Sequence, residues 1–176
     1  MESTAAQLEV RLLGSFRVTV GYRPLPDSSW RRKRAADIVK LLALEPTHRL
    51  HREQIVDALW PDLDPDAAAN NLRVALHRAR QRLEDAGGPA GAYLTRDGDI
   101  LVLAPPDAAK VDVDAFERAV AAAWRSTDPA ASERAVDLYG GELLPENRYE
   151  EWCESRRAAL RAAYLTLLAR TSQLYE

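Results

Sequence analysis

The chain has 176 residues, is 47% hydrophobic and 29% charged, and carries a net charge of −3 with one cysteine. This length allows one or two globular domains. The sequence has no apolar run of about 18 residues and no second cysteine, which excludes a membrane-spanning helix and an intrachain disulfide. Residues 1–106 hold 15 basic and 14 acidic side chains, whereas residues 107–176 hold 9 and 13. Only the first part therefore offers basic surfaces suited to phosphate.

Alternating and helical patterns follow one another in the first third of the chain. Residues 8–12 and 16–20 alternate apolar and polar side chains around a Gly-Ser pair, which predicts a β-hairpin with one apolar face. A short third strand is expected around Leu25. Helical periodicity then predicts a first helix over residues 30–44 and a second over residues 52–60, each ended by a proline.

A third helix and a second hairpin complete this region. Asp64 and Pro65 form an N-cap and first-turn pair, which predicts the longest helix, running to about Asp85. Two apolar segments, 93–95 and 100–103, then flank an Asp-Gly turn. Strands, three helices and a terminal hairpin are the order of a winged helix-turn-helix. We therefore expect an α+β domain over residues 1–104.

Residues 70–83, NNLRVALHRARQRL, combine an apolar side with a polar one. Leucines and an alanine recur at steps of three and four, and four arginines occur with no acidic residue. Arginine can pair with guanine, and asparagine or glutamine with adenine. The face opposite the apolar stripe is expected to read the DNA major groove, and it consists of Asn70, Arg73, Val74, His77, Arg78 and Gln81. Arg80 and Arg82 fall on the flanks, where phosphate or solvent is the expected partner.

Basic residues elsewhere in this region are further candidates for DNA contact. A cluster at the start of the first helix is expected to bind phosphate, or else to form a solvated basic turn; it consists of Arg31, Arg32, Lys33 and Arg34. Arg96 at the expected wing tip resembles wing residues that reach the adjacent minor groove, the alternative being a surface arginine without a role.

Helical periodicity dominates after a linker at Pro105-Pro106. Helices are predicted over residues 112–124, 129–139 and from 148 to the end, with Asp112 and Asp128 as caps. They predict an all-α, tetratricopeptide-like domain over residues 107–176. The four tryptophans, two tyrosines and the cysteine are expected in the core: Trp30, Trp60, Trp124, Trp152, Tyr139, Tyr149 and Cys153. Because the last residues still follow the helical pattern, we expect the natural protein to continue.

No catalytic, cofactor or metal site is predicted. His48 and His51 stand three apart without a third ligand for zinc. The sequence has no glycine-rich phosphate loop, no nucleophile elbow and no convincing Ser/His/Asp arrangement. We therefore expect that the protein is not an enzyme. The first residues also lack the basic start and apolar stretch of a secretory signal, so we expect a cytoplasmic protein.

Two blocks of sequence resemble the SARP family of bacterial transcriptional activators, the antibiotic regulatory proteins. The first block is VRLLGSFRVTV, KRAADIVKLLAL and LWPDLDPDAAANNLRVALHRARQRLE, similar to the family's OmpR-type winged helix. The second is VDVDAFERAV and AVDLYGGELLPENRYEEWCESRRAAL, which resembles the start of the bacterial transcriptional activator domain. The resemblance covers nearly the whole chain and implies that residues 70–83 lie in the recognition helix.

The resemblance also implies a function. Family members activate transcription by binding direct repeats upstream of a promoter as head-to-tail dimers and recruiting RNA polymerase. The loop over residues 60–66 matches the family's transactivation loop, so Asp62, Leu63 and Asp64 are implied contacts to the sigma-factor region or to the alpha or beta subunits. Asp64 and Asp66 are also suited to the N-terminus of the third helix. The implied location is the nucleoid of a bacterial cytoplasm.

The sequence departs from the family in one respect and leaves one alternative open. Only about three helices of the activator domain are present, and the phospho-acceptor receiver domain of many OmpR-type regulators is absent. Control by aspartyl phosphorylation is therefore not expected. The alternative is an interaction module, in which the helical domain binds a protein or ligand and the winged helix mediates protein contacts.

Overall fold

The computed structural model describes residues 6–89, 91–104 and 108–175, and it divides into two compact units. The first unit extends to Val10 and then comprises Arg17–Lys110, and the second comprises Arg11–Phe16 and the chain from Val111. These units differ from the predicted ranges 1–104 and 107–176 in their boundary and in the segment Arg11–Phe16. The predicted linker at residues 105–106 lies outside the described residues.

The predicted strands and helices occur in the predicted order, and two short strands that were not predicted are added to them. The strands are β1 Leu8–Arg11, β2 Arg17–Val20, β3 Arg23–Pro24, β4 Arg49–His51, β5 Leu94–Asp97, β6 Ile100–Leu103 and β7 Ala109–Val111. The α-helices are α1 Lys33–Leu44, α2 Arg52–Leu59, α3 Pro65–Asp85, α4 Asp112–Arg125, α5 Pro129–Leu138 and α6 Glu154–Leu174. Short 3-10 helices lie at Asp27–Trp30, Pro145–Asn147 and Glu151–Cys153.

The first sheet has the strand order β3-β2-β1-β7. Its predicted alternation is confirmed: Leu8, Val10, Val18 and Val20 are buried, whereas the residues between them are less so. The backbone N–H of Leu8 donates to the Ala108 carbonyl at 2.8 Å, beside β7. The sequence did not predict β7, because three residues beside a proline pair carry too little periodicity to show a strand.

Three helices form the core of the first unit. α1 begins three residues later than predicted, because Arg32 has an extended backbone at the N-cap and residues 27–30 form a separate 3-10 turn. α1 packs on α3, and the apolar stripe of α3 is buried as predicted. Burial of that stripe removes apolar surface from water and fixes which side of α3 faces outward.

Side-chain caps fix where α2 and α3 begin. The His51 ring Nδ1 accepts the Glu53 N–H at 3.2 Å, and the Gln54 side chain accepts the His51 N–H at 3.0 Å. His51 is thus a helix cap in a capping box. The Asp64 carboxylate accepts the backbone N–H groups of Asp66 and Ala67 at 3.1 and 3.0 Å, and α3 runs to Asp85 as predicted.

The wing is a three-stranded sheet in the order β4-β6-β5. Asp97 pairs with Ile100 at the end of the hairpin, and Gly98 adopts a φ of +60° in the two-residue loop. The Asp-Gly pair predicts a hairpin turn that contains a left-handed residue, as observed at Gly98. β4 was not predicted, because Arg49–His51 is short and pairs with β6, which lies about 50 residues further along the chain.

The second unit is built on α4, α5 and α6. Ala123, Ala135 and Leu167 are fully buried at the centre of this bundle. α5 starts as predicted, since the Asp128 carboxylate accepts the Ala130 N–H at 3.0 Å. The predicted helix from residue 148 is wrong in its start, because a 3-10 turn at Glu151–Cys153 precedes α6.

Asp112 does not act as the N-cap of α4, contrary to prediction; Val111 occupies that position. The Asp112 carboxylate instead accepts backbone N–H groups of Leu12 and Leu13 at 2.9 Å each, and of Val113 at 2.9 Å. Burial raises the pKa of Asp112, while the hydrogen bonds from these N–H groups oppose that shift. The carboxylate therefore fixes the segment Arg11–Phe16 to the start of α4.

The aromatic residues are less buried than predicted. Trp124 and Tyr149 are exposed, with Tyr149 at 94%, and the other three tryptophans are only half-buried. Trp124 lies at the exposed end of α4, where the Arg170 guanidinium lies 4.7 Å from its ring centroid. Cys153 is buried as predicted, and burial raises the pKa of its thiol despite the neighbouring Arg157.

Candidate nucleic-acid interface

The outward side of α3 carries the residues that were predicted to read the major groove. Four of the six are exposed and two are half-buried. Leu72, Leu76 and Leu83 on the opposite side are buried in the three-helix core. The structure therefore places on one face of α3 the set Asn70, Arg73, Val74, His77, Arg78 and Gln81.

This face borders a concavity of about 790 Å³ between α3 and the wing. All six of those residues line it. No acidic side chain lines it, and the arginines that do are Arg52, Arg73, Arg78, Arg80 and Arg96. Arginines in a concave site concentrate positive potential, which attracts phosphate.

Two of the predicted base-reading residues contact each other. The Arg73 Nη2 donates to the Asn70 side-chain oxygen at 2.8 Å, one turn apart on α3. The bond occupies one Asn70 lone pair and one of the five Arg73 N–H donors. The Asn70 amide N–H groups and the remaining guanidinium donors are not used by this bond.

Arg80 and Arg82 differ in their surroundings. The Arg80 Nε donates to the Leu94 carbonyl of β5 at 2.8 Å, and the side chain is half-buried. Arg80 thus joins α3 to the wing. The sequence indicated phosphate or solvent as its partner and did not predict this bond. Arg82 is exposed and lies 3.2 Å from Asp85 one turn later.

The basic cluster before α1 is split by the fold. Arg31, Arg32 and Lys33 are exposed, as a phosphate contact requires. Arg34 instead donates from Nη1 to the fully buried Asp37 carboxylate at 3.0 Å, with Lys40 on the other carboxylate oxygen at 3.9 Å. A buried carboxylate needs such a charged partner, so Arg34 has a structural role that the sequence did not show.

Arg96 lies in β5, one residue before its end, rather than at the wing tip. Its Nη2 lies 3.2 Å from Asp99 Oδ1, and its Nε donates to the Gly98 carbonyl. Arg52, the first residue of α2, also lies 3.8 Å from Asp99. Sequence reasoning missed Arg52, because only the pairing of β4 with β6 brings the start of α2 beside the wing turn.

The loop between α2 and α3 presents the residues implied as polymerase contacts. Asp62 and Leu63 are exposed, Leu63 at 43%. The Asp64 carboxylate is occupied by the cap of α3. Asp64 therefore has a structural role in addition to any role in binding a partner.

Two kinds of feature are absent from the described part of the chain, a metal-binding cluster and a membrane-spanning helix. There, no three His, Cys, Asp or Glu side chains are grouped so that they could hold a metal ion. No helix in residues 6–89, 91–104 and 108–175 is long and apolar enough to cross a membrane.

Residues 30–95 match the family described as "Transcriptional regulatory protein, C terminal". The first unit has a winged-helix fold, in agreement with this match. The match includes all of α1, α2 and α3 and the start of the wing. The matched family consists of transcriptional regulators rather than enzymes, in agreement with the sequence prediction.

A solved structure extends the similarity to the second unit. The chain is similar to Mycobacterium tuberculosis EmbR, solved in complex with a low-affinity phosphopeptide, with a TM-score of 0.78 and 19% sequence identity. The similarity covers 96% of this chain and 45% of that chain, so the chain spans less than half of that EmbR chain. At this identity the likeness shows the fold, which confirms the predicted winged helix followed by a helical region. No curated protein matches the chain in sequence.

Proposed function

We propose that this chain binds double-stranded DNA in a sequence-specific way and activates transcription from nearby promoters. The observation that carries the proposal is the exposed polar face of α3 beside a concavity with five arginines and no acidic side chain. An amphipathic helix with Arg, Asn, Gln and His on its outer face can enter the major groove and bond to base edges. The winged-helix family match supports the same role.

Contacts are proposed at three parts of the first unit. The outward face of α3, from Asn70 to Gln81, reads bases. Arg31, Arg32 and Lys33 before α1, together with Arg82, neutralise phosphates, which gives affinity without sequence information. Arg96, beside the wing turn, reaches the minor groove and the phosphates that border it.

Activation is proposed to use the loop between α2 and α3. Asp62 and Leu63 are exposed there, and the resemblance to the SARP family implies contact with RNA polymerase through the sigma-factor region or the alpha or beta subunits. The same resemblance supports head-to-tail dimers on direct repeats, inside a bacterial cytoplasm.

DNA binding is tested first by selection from genomic fragments with the purified chain, followed by titration at increasing salt. We expect enrichment of a repeated motif, and an affinity that falls steeply with salt concentration because bound phosphates release counterions. If no fragment is enriched and no duplex binds at low salt, DNA binding is wrong and the interaction-module alternative is favoured.

Polymerase contact is tested with the double variant D62A/L63A in a reconstituted transcription assay on the selected promoter. We expect reduced transcript yield with unchanged DNA affinity, since both side chains are exposed and lie outside the concavity. Asp64 is left intact because its replacement would remove the cap of α3. Loss of DNA affinity in D62A/L63A would instead show that the loop supports the fold of the interface.

A further inference from the structure

Asp99 at the wing turn contacts two of the five arginines in the concavity. Its Oδ1 lies 3.2 Å from Arg96 Nη2 and 3.8 Å from Arg52 Nη1. The Asp99 backbone carbonyl also accepts the Arg52 N–H at 2.8 Å. One residue therefore holds Arg52 by its backbone and places a negative charge between two cations that would face DNA phosphates.

A second wing carboxylate provides a comparison. Asp97 lies two residues earlier, and its Oδ2 is 3.1 Å from Arg49 Nη2. Arg49 is not among the residues that line the concavity, whereas Arg52 and Arg96 are. The two wing carboxylates thus have the same charge and the same kind of partner, but only Asp99 neutralises arginines of the proposed interface.

We propose that Asp99 weakens non-specific DNA binding, and so raises sequence preference, by holding Arg52 and Arg96 in ion pairs that a phosphate must displace. This inference rests on the proposed DNA-binding function. Base contacts from α3 form only on a matching sequence, whereas phosphate contacts form on any duplex. The negative charge of Asp99 weakens phosphate contacts on every duplex but does not weaken the base contacts. Base contacts therefore supply a larger share of the affinity for the matching sequence.

The geometry makes the exchange of partners feasible. All three side chains are partly exposed, with Asp99 at 56%, Arg96 at 52% and Arg52 at 36%. Exposed ion pairs contribute little to stability, so phosphate can replace the carboxylate without disrupting the wing. The backbone bond from Arg52 to Asp99 does not depend on the carboxylate, so the fold at the turn persists when its charge is removed.

The test compares D99N with D97N in the full chain, by titration with a duplex of unrelated sequence and with the selected site. Each variant removes one negative charge from the wing. We expect D99N to bind the unrelated duplex about three- to tenfold more tightly, with a log–log salt slope steeper by about one, and to lose sequence preference. D97N should change that affinity by less than about twofold. Thermal unfolding of both variants serves as the check on folding.

Removal of the arginines separates a specific restraint from a general effect of charge. The gain of D99N should disappear in the triple variant R52Q/R96Q/D99N relative to R52Q/R96Q, because no cation remains to be released. An equal gain in D97N, a gain that persists without the arginines, or weaker binding by D99N would each overturn the role of Asp99.

Failure of this inference is distinguishable from failure of the proposed function. If wild type binds its selected site and loses affinity on Arg73→Ala, while D99N behaves like D97N, only the role of Asp99 is wrong. If neither wild type nor any variant binds duplex DNA at low salt, the proposed function is wrong and the role of Asp99 is wrong with it.

Discussion

Arginines on one helix have different roles because their nearest partners differ. On α3, Arg73 is bonded to Asn70, Arg80 to a wing carbonyl and Arg82 to Asp85. Arg78 is half-buried and lines the concavity. The intrinsic chemistry of the four side chains is the same, so position and partner decide which of them is available to a base edge.

Arg78 and Arg82 form a matched pair for mutation. Arg78→Ala should cost about 1–3 kcal/mol of binding free energy and relax the preference at one base position, because the proposed bidentate contact to a base would be lost. Arg82→Ala removes the same charge outside the concavity and should weaken binding to all sequences equally and slightly. Titration against a panel of single-base variants of the selected site measures both effects. An unchanged preference profile for Arg78→Ala would contradict its assignment to a base.

At the scale of elements, turns and caps position the interface. The Asp64 cap starts α3, the Gly98 turn closes the wing, and Arg80 joins α3 to the wing.

In the second unit, the turn at Gly14 packs closely against another backbone segment. Gly14 has a φ of +86°, and its N–H donates to the Glu142 carbonyl at 2.9 Å. A Cβ on Gly14 would lie 2.6 Å from the Gly140 carbonyl oxygen, which is closer than atoms can approach.

Gly14 and Gly98 therefore predict unequal costs for the same substitution. Gly98→Ala adds a Cβ with nothing within 4 Å, so only the left-handed conformation is penalised, by about 1–2 kcal/mol. Gly14→Ala adds the clash with backbone to a similar conformational penalty, and should cost more than about 3 kcal/mol. Urea unfolding followed by circular dichroism measures both. Equal losses of unfolding free energy would show that the backbone at Gly140 can move away from the added Cβ at little cost in free energy.

At the scale of the whole molecule, the two units are not consecutive in the chain. The turn between β1 and β2 belongs to the second unit, where Leu12 and Leu13 are buried and Leu13 bridges to Leu143. β7 returns to the first sheet after the wing. A cut at the predicted boundary would therefore remove a strand from one unit and the partners of Leu12 and Leu13 from the other.

Truncated chains test this organisation. A fragment of residues 1–104 should unfold at a lower temperature than the full chain, because β1 loses β7 and two buried leucines become exposed. A fragment of residues 1–111 retains β7 and should lie between the two. Thermal unfolding by circular dichroism at equal concentration gives the order. A fragment 1–104 that unfolds at the temperature of the full chain would show that the winged helix does not depend on these contacts.

The amino-acid sequence by itself determined the features that depend on neighbours along the chain. The Asp64-Pro65 start of α3, its apolar stripe and the Asp-Gly turn are local, because capping, helical periodicity and turn conformation act within a few residues. These features were sufficient to predict a winged helix and the outward face of α3. The family match and the similar solved structure agree with that architecture.

Only the tertiary structure decided the features that depend on residues far apart in sequence. The pairing of β4 with β6 brings Arg52 to Asp99, and the Leu94 carbonyl of β5 accepts a hydrogen bond from Arg80. Arg34 and Asp37 are only three residues apart, but it is the folded core that buries Asp37 and so gives their ion pair its structural role. When folding brings together two residues that are distant in sequence, the residues next to them in the chain do not indicate the contact. The partner of such a charged side chain is therefore known only from the folded structure. The sequence therefore indicates which face of α3 is basic, and the structure decides which of its arginines bond to other residues of the fold.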